Sequence, residues 1–341
     1  MKMVFFIFAV LGIIVGGNAY VFFRLWQLLP PLPVWRTMLI IAAVILVSSP
    51  ILGIAGAKFL PPSMAVFWGR LGTSWLIAFL YLLMTFLVCD LLRTTKLIPA
   101  IDACLRANWI TFGLLVVGMA TLLVAGYVRY RNKDSVEITL PLNRPFTGGN
   151  LKIVAVSDMH LGYTIGREEL EQWVTLINAE DPDLILIAGD ITDNNVRPLI
   201  DGGMAEAFHR LRSRYGVYAV PGNHEYIAGI APAADFLRSA DVTLLRDTAI
   251  LIDSRFYLVG RDDYSNPRRK SLADLTASLD VDKPLLLLDH QPHHLEEAAF
   301  CGIALQFSGH THDGQVWPLN YITRLLFECS HGYLKKGDTH I

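Results

Sequence analysis

A chain of 341 residues that is 53% hydrophobic and only 18% charged is too apolar to be two or three ordinary soluble domains. Its formal net charge of -2 excludes the basic excess expected of a protein held to nucleic acid through phosphates. Its four cysteines are scattered without CxxC spacing, which excludes a dense disulfide framework and leaves them as small buried hydrophobes.

The apolar excess is concentrated at the start. No Asp, Glu, Lys, Arg or His lies between Lys2 and Arg24, Arg36 and Lys58, Arg70 and Asp90, or Arg106 and Arg129. Each gap is about 20 residues, enough to cross a bilayer core, and none shows the polar face of an ordinary core helix. Residues 1–128 are therefore expected to form a membrane domain of four transmembrane helices. The first reads as an anchor, since a cleaved signal would leave the other three unexplained. Pro30, Pro31 and Pro33, and then Pro61 and Pro62, mark turns between spans. Four spans put the N-terminus and everything beyond Arg129 on one side. Basic residues divide almost evenly between the two sides, and the cluster Arg129, Arg131, Lys133 tips the C-terminal half toward the cytoplasm. The spans contain no ionisable residue to mark a permeation path, which disfavours a transporter.

After the charged exit from Arg129 to Asp134, alternation predicts a strand over Val136 to Leu140 and a turn through Gly148, Gly149 and Asn150. From Leu151 short apolar runs alternate with amphipathic stretches, the pattern of a layered α/β domain. The runs are Ile153–Val156, Leu184–Ala188, Val217–Val220, Leu285–Leu288 and Ile303–Phe307. Helical periodicity marks Glu168–Ala179, the surroundings of Met204–Leu211, and Pro292–Phe300; Val242–Gly260 reads as several short strands of a second sheet.

Each of the five runs ends in a polar cluster. These are Ser157-Asp158-Met159-His160, Gly189-Asp190-Ile191-Thr192-Asp193, Pro221-Gly222-Asn223-His224-Glu225, Asp289-His290, and Gly309-His310-Thr311-His312. Strand C-termini in an open α/β sheet converge on one edge, so the five clusters are expected to meet. Carboxylate, imidazole and amide oxygen together suit hard-to-borderline divalent metals, and there are more of them than one tetrahedral ion needs. Two ions about 3.5–4 Å apart can activate a bridging hydroxide and stabilise in-line attack on phosphorus. All ten histidines lie at position 160 or beyond, which concentrates ligand chemistry in this half.

The ordered set Asp158-x-His160, Gly189-Asp190-x-x-Asp193, Gly222-Asn223-His224-Glu225, His290 and Gly309-His310-x-His312 resembles the motifs of calcineurin-like metallophosphoesterases. The Gly309-to-Gln315 ending and the multi-span front are similar to the membrane-anchored bacterial phosphohydrolases of the YaeI and YkuE type. That resemblance implies a four-layer α/β/β/α sandwich over residues 135–341, preceded by the four transmembrane helices of a bacterial cytoplasmic membrane protein. It implies that Asp158, His160 and His312 hold one divalent ion, that Asn223, His290 and His310 hold the other, and that Asp190 bridges them. Manganese is the first expectation, with iron or zinc as alternatives. His224 would face the substrate phosphate as an acid, with Asp193 orienting its imidazole. The implied activity is phosphoester hydrolysis, by a phosphodiesterase or pyrophosphatase, on a phospholipid or nucleotide-lipid substrate at the bilayer, with no nucleic-acid partner. The competing reading is a membrane sensor or scaffold that keeps the metal-site fold without turnover.

Asp313 departs from the resembling pattern, where glycine is usual, and adds a carboxylate near the centre or a solvated loop residue. The chain also ends soon after Gly337-Asp338-Thr339, where an additional strand and a Gly-rich loop are expected, so the rim of the site is expected to be incomplete. Arg268, Arg269 and Lys270 form either a phosphate clamp or an exposed loop. Trp317, Tyr321, Leu325, Leu326 and Phe327 have the spacing of an amphipathic helix against the membrane or of ordinary core.

Overall fold

The computed structural model describes residues 2–96, 98, 100–142, 149–280 and 282–341, with side chains from residue 12 onward. It divides into two units, Met1–Glu137 and Ile138–Ile341.

In the first unit all four charge-free runs are helical: α1 (Lys2–Leu28), α2 (Pro33–Ile54), α3 (Pro62–Thr95) and, after the single turn α4 (Ile101–Cys104), α5 (Trp109–Arg131). Proline opens α2 and α3, where the first N–H has no helical partner to lose. Asn108 caps α5 by accepting from Thr111 N–H at 3.1 Å. By length and composition α2, α3 and α5 are apolar enough to cross a membrane. α2 and α3 approach closely: a Cβ on Gly53 would stand 2.7 Å from Gly69 Cα, the small-residue contact that membrane helices favour. Asp90 of α3 is paired with Arg24 and accepts from the Tyr20 hydroxyl of α1, so the carboxylate bounding the third run has partners.

In the second unit β1 (Ile153–Val156), β2 (Leu184–Ala188), β3 (Val217–Val220) and β4 (Thr243–Leu244) form a parallel sheet in that order. Its connections carry α6 (Arg167–Ala179), α7 (Arg197–Asp201), α8 (Met204–Phe208), α9 (Asn223–Ala228) and α10 (Ile230–Ser239). The second sheet runs β5 (Thr248–Ile252), β6 (Phe256–Gly260), β7 (Leu285–Leu288), β8 (Leu305–Phe307), β10 (Thr339–His340), β9 (Lys335–Lys336). Its outermost pairs are antiparallel and the inner ones parallel. Helices α11 (Leu272–Thr276) and α12 (Leu295–Phe300) flank β7, and a 3-10 turn (His312–Gly314) and α13 (Leu319–Leu326) follow β8.

Side-chain alternation along the strands builds four layers. Leu184, Leu186 and Ala188 of β2 meet Phe256, Leu258, Leu286 and Leu288 of the other sheet, forming the core between sheets. Ile187 faces the opposite way, toward Leu170 and Val174 of α6, Phe208 of α8, and Phe236 and Leu237 of α10. Likewise Val259, Leu285 and Leu287 face Leu272 and Leu275 of α11 and Ala298 of α12. Burial on both faces explains why these strands read as unbroken apolar runs.

The stretch Val136 to Leu140 is not a strand: its alternation is real, but Val136 and Ile138 are exposed and, among the described residues, no neighbouring strand accepts its hydrogen bonds. The turn expected at Gly148 to Asn150 lies partly outside the described residues.

Leu286 is buried between the sheets. Its replacement by alanine is expected to cost about 2–5 kcal/mol, read as a lowered denaturant midpoint with unchanged slope.

Candidate metal centre

The hydrogen-bonding of the strands continues past their ends and zips the loops together. Asp158 N–H donates to Gly189 carbonyl at 3.1 Å, His160 N–H to Asp190 carbonyl at 2.9 Å, and Leu161 N–H to Ile191 carbonyl at 2.8 Å. On the second sheet Gly309 N–H donates to His290 carbonyl at 2.9 Å. The turns are tight enough to force Asp158, His160, Asp190, His310 and His312 to φ between 44° and 72°, a region costly to residues with a Cβ. Such strain gathers where geometry is used, at about 1–3 kcal/mol per residue.

The buried carboxylate of Glu225 locks the centre of this arrangement. It accepts from the N–H of Asp190 (2.9 Å), Thr192 (2.8 Å) and Gly222 (2.7 Å), binding the loop after β2 to the start of α9. The motif contained Glu225, but sequence reading assigned it no role; its signal was position N3 of a capping box. Gly222 passes so close that a Cβ there would collide with Asp190 Oδ1 and stand 2.7 Å from Asp190 N.

Of the side chains expected to act together, Asp158, His160, Asp190, His290, His310 and His312 stand close to one another. His312 Nε2 lies 3.3 Å from Asp158 Oδ1 and 3.1 Å from His160 Nε2. His290 Nε2 lies 3.2 Å from Asp190 Oδ2, the same oxygen that stands 3.8 Å from His160 Nε2. Candidate donor atoms fall into three overlapping groups, Asp158-His160-His312, His160-Asp190-His224 and Asp190-His290-His310. Asp190 Oδ1 is engaged separately, accepting from His224 N–H at 2.9 Å, which leaves Oδ2 between the outer groups.

The donor set fits divalent cations. Donor atoms about 2.1 Å from one ion lie roughly 3–3.4 Å from each other, the spacing of the His312, Asp158, His290 and Asp190 atoms above. His290 Nδ1 donates to Ala188 carbonyl at 2.7 Å, which fixes the tautomer and turns Nε2 inward, where it is buried without a hydrogen bond. Asn223 Oδ1 is buried and equally unpartnered. Each is a buried polar atom that a bound divalent cation would satisfy.

Without a cation, protons balance the carboxylates. Burial opposes a charge on His290, but Asp190 and Asp158 outweigh it and push the imidazole up to about 9. His224 reaches about 9 for the same reason, burial being overcome by Asp193 and Asp190. Burial also works against ionised Asp158, yet hydrogen bonds from His312 and Ser157 hold it at about 2. His160 and His310 move the other way, lowered first by burial and then by neighbouring imidazoles.

Three details differ from the sequence reading. The Nδ1 of His224 donates to the main-chain carbonyl of Asp193 at 2.9 Å, whereas the Asp193 carboxylate stands farther off at 3.5 Å. The backbone therefore sets the tautomer, and the carboxylate adds charge. Asp313 is turned away to the C-terminal segment, 3.3 Å from Arg324 Nη2 and accepting from Ser330 Oγ at 3.3 Å. Arg269 is neither an exposed loop residue nor a free clamp: its side chain is only 6% exposed, paired with Asp289 and standing 4.0 Å from the Tyr264 ring. Asp289, buried beside His290, needs that countercharge and shares it with Arg261 at 3.2 Å.

The profile described as calcineurin-like phosphoesterase matches residues 151–314. Over 191 residues the chain is 33% identical to an uncharacterized metallophosphoesterase of Aquifex aeolicus, an alignment covering 54% of this chain and 72% of that one. The chain belongs to the calcineurin-like phosphoesterase family. Within that family it is 30% identical over 247 residues to the metallophosphoesterase YkuE of Bacillus subtilis, covering 67% of this chain and 85% of YkuE. It is 33% identical over 246 residues to a bovine transmembrane protein with metallophosphoesterase domain, covering 66% of this chain and 55% of the relative. The chain spans about half the length of several curated relatives it matches. The family match stops at Gly314, short of α13 and the β9–β10 pair.

Two outcomes follow. Gly222→Ala is expected to displace Asp190 and reduce bound metal per chain, measured by elemental analysis, while circular dichroism keeps its native form. In chelator, the folded protein binds more protons than the unfolded chain between about pH 6.5 and 9, through His224 and His290. Stability from these groups is complete below pH 6.5 and lost as pH rises through 9, so denaturation midpoints should fall over that window. A flat profile would remove the proton-for-metal account.

Proposed function

We propose that this chain is a membrane-tethered, metal-dependent phosphoester hydrolase whose substrate is a phosphodiester or pyrophosphate at the bilayer. One observation carries the reading: Asp190 Oδ2 faces His290 Nε2 at 3.2 Å and His160 Nε2 at 3.8 Å, so one carboxylate oxygen is shared by two donor groups. In this reading Asp158, His160 and His312 hold one divalent ion, Asn223, His290 and His310 hold a second, and Asp190 joins them. Ions so held supply Lewis-acid stabilisation of charge on phosphoryl oxygens and lower the pKa of water between them.

The chain's own residues supply the rest. His224, with Nδ1 fixed by the Asp193 carbonyl, presents Nε2 to the departing oxygen. A protonated imidazole there donates to the leaving group as negative charge develops, and the Asp193 carboxylate sustains its charge. Glu225 keeps the Asp190 and Asn223 loops from separating when charge is redistributed. Three helices apolar enough to span a bilayer support the membrane setting, and Arg129, Arg131 and Lys133 beyond the last of them support a cytoplasmic catalytic unit of a bacterial membrane.

The test is hydrolysis of an aryl phosphodiester by the full chain with added Mn²⁺. Chelator and Asn223→Ala are expected to abolish turnover, and His224→Ala to reduce kcat by roughly 10²–10⁴. Asp193→Asn keeps the carbonyl contact, so its loss should be smaller, on the order of 10–100-fold. Turnover that ignores metal, or no turnover in the metal-loaded chain, would instead support a sensor that keeps the site without catalysis.

A further inference from the structure

The 3-10 turn carrying His312 is bound to α13. Asp313 is paired with Arg324 at 3.3 Å, and Phe327 stacks on His293 with ring centroids 4.9 Å apart and lies 6.0 Å from His310. The helix is thereby fixed at the rim of the metal centre. Its outer surface is nevertheless exposed among the described residues. Tyr321 and Leu325, and Ile322 and Leu326, are pairs four residues apart that form one stripe, extended by Trp317; all five are exposed, Leu325 at 86% and Leu326 at 69%. Single exposed leucines are ordinary, but a contiguous apolar stripe on a helix marks a docking surface. No carboxylate lies in α13, and its one charge, Arg324, is directed at Asp313.

The length of the tether keeps the stripe near lipid. The apolar helix α5 ends at Arg131, and Pro141 already belongs to the second unit, its carbonyl accepting from His340 Nε2 of β10 at 2.9 Å. Pro141 is ten positions beyond Arg131, a reach of at most roughly 35 Å when fully extended. A compact unit of this size is about 40 Å across, so its surface stays within reach of lipid. Aromatic side chains at one end of the stripe and aliphatic ones at the other, with no acidic group between, suit the headgroup and acyl boundary.

We propose that Trp317, Tyr321, Ile322, Leu325 and Leu326 dock into the bilayer that holds the chain's own spans, setting the rim of the metal centre against the lipid surface. A phosphoester carried by a lipid headgroup would then reach the site by lateral movement.

The test uses the full chain in nanodiscs of phosphatidylethanolamine and phosphatidylglycerol containing a trace of diazirine phospholipid, with adducts located by mass spectrometry. Labelling is expected on residues 319–327 as well as on the spans, and not on the segment of α6 around exposed Leu176. The double variant Leu325→Gln, Leu326→Gln should lose labelling at 319–327 to the level of Leu176 while the spans keep theirs. Unlabelled 319–327 in the wild-type chain beside labelled spans would overturn the proposal. So would discs holding two copies cross-linked through α13, which would assign the stripe to a second copy. No readout depends on turnover, so a failure of the catalytic reading leaves this one standing, and the reverse.

Discussion

Everything at the metal centre depends on one buried carboxylate that is not itself among the expected ligands. Glu225 accepts three main-chain N–H groups from two loops, and each of those loops delivers a proposed ligand, Asp190 from one and Asn223 from the other. A carboxylate so placed is stabilised only while all three donors stay aimed at it, and the donors would lose their acceptor if the side chain left. Burial pushes its pKa up while the N–H groups from Thr192 and Gly222 pull it down, so its charge and the loop geometry are coupled. The missing side chain of Gly222 is the steric counterpart of the same constraint, because the loops could not close to this distance around a Cβ.

Much of this could be read from the chain. Ile153–Val156, Leu184–Ala188, Val217–Val220 and Leu285–Leu288 were legible to the residue; in β2 and β7 the reason is burial on both faces, which requires an apolar residue at every position. Their convergence followed from parallel topology alone. What the chain hid was of two kinds. Short strands such as β9 and β10 hold two residues each, too few for any period to show. Partnerships between distant residues, such as Arg269 with Asp289 or Asp313 with Arg324, leave no local signature: a run of basic residues looks the same whether solvated or drawn inward. The Val136–Leu140 stretch is the converse failure, a good strand pattern with no neighbour to pair with among the described residues.

The electrostatics of the centre have two regimes. With no cation present, His224 and His290 carry the positive charge that Asp190 and Asp158 require, each held well above its ordinary range. Cations at the same place make those protons redundant, so uptake of metal and release of protons become one process. The positive φ of five proposed ligands means the turns are held in place by their surroundings rather than by local preference.

The sequence distance between partners has a consequence for how the molecule is made. His160 and His312 lie 152 positions apart, yet their ring nitrogens meet at 3.1 Å. The Asp158-His160-His312 group therefore cannot close until the loops after β1 and β8, carried by different sheets, have both taken their places. A divalent ion held by that group would be captured by a unit whose two sheets are already assembled, not by a local stretch of chain.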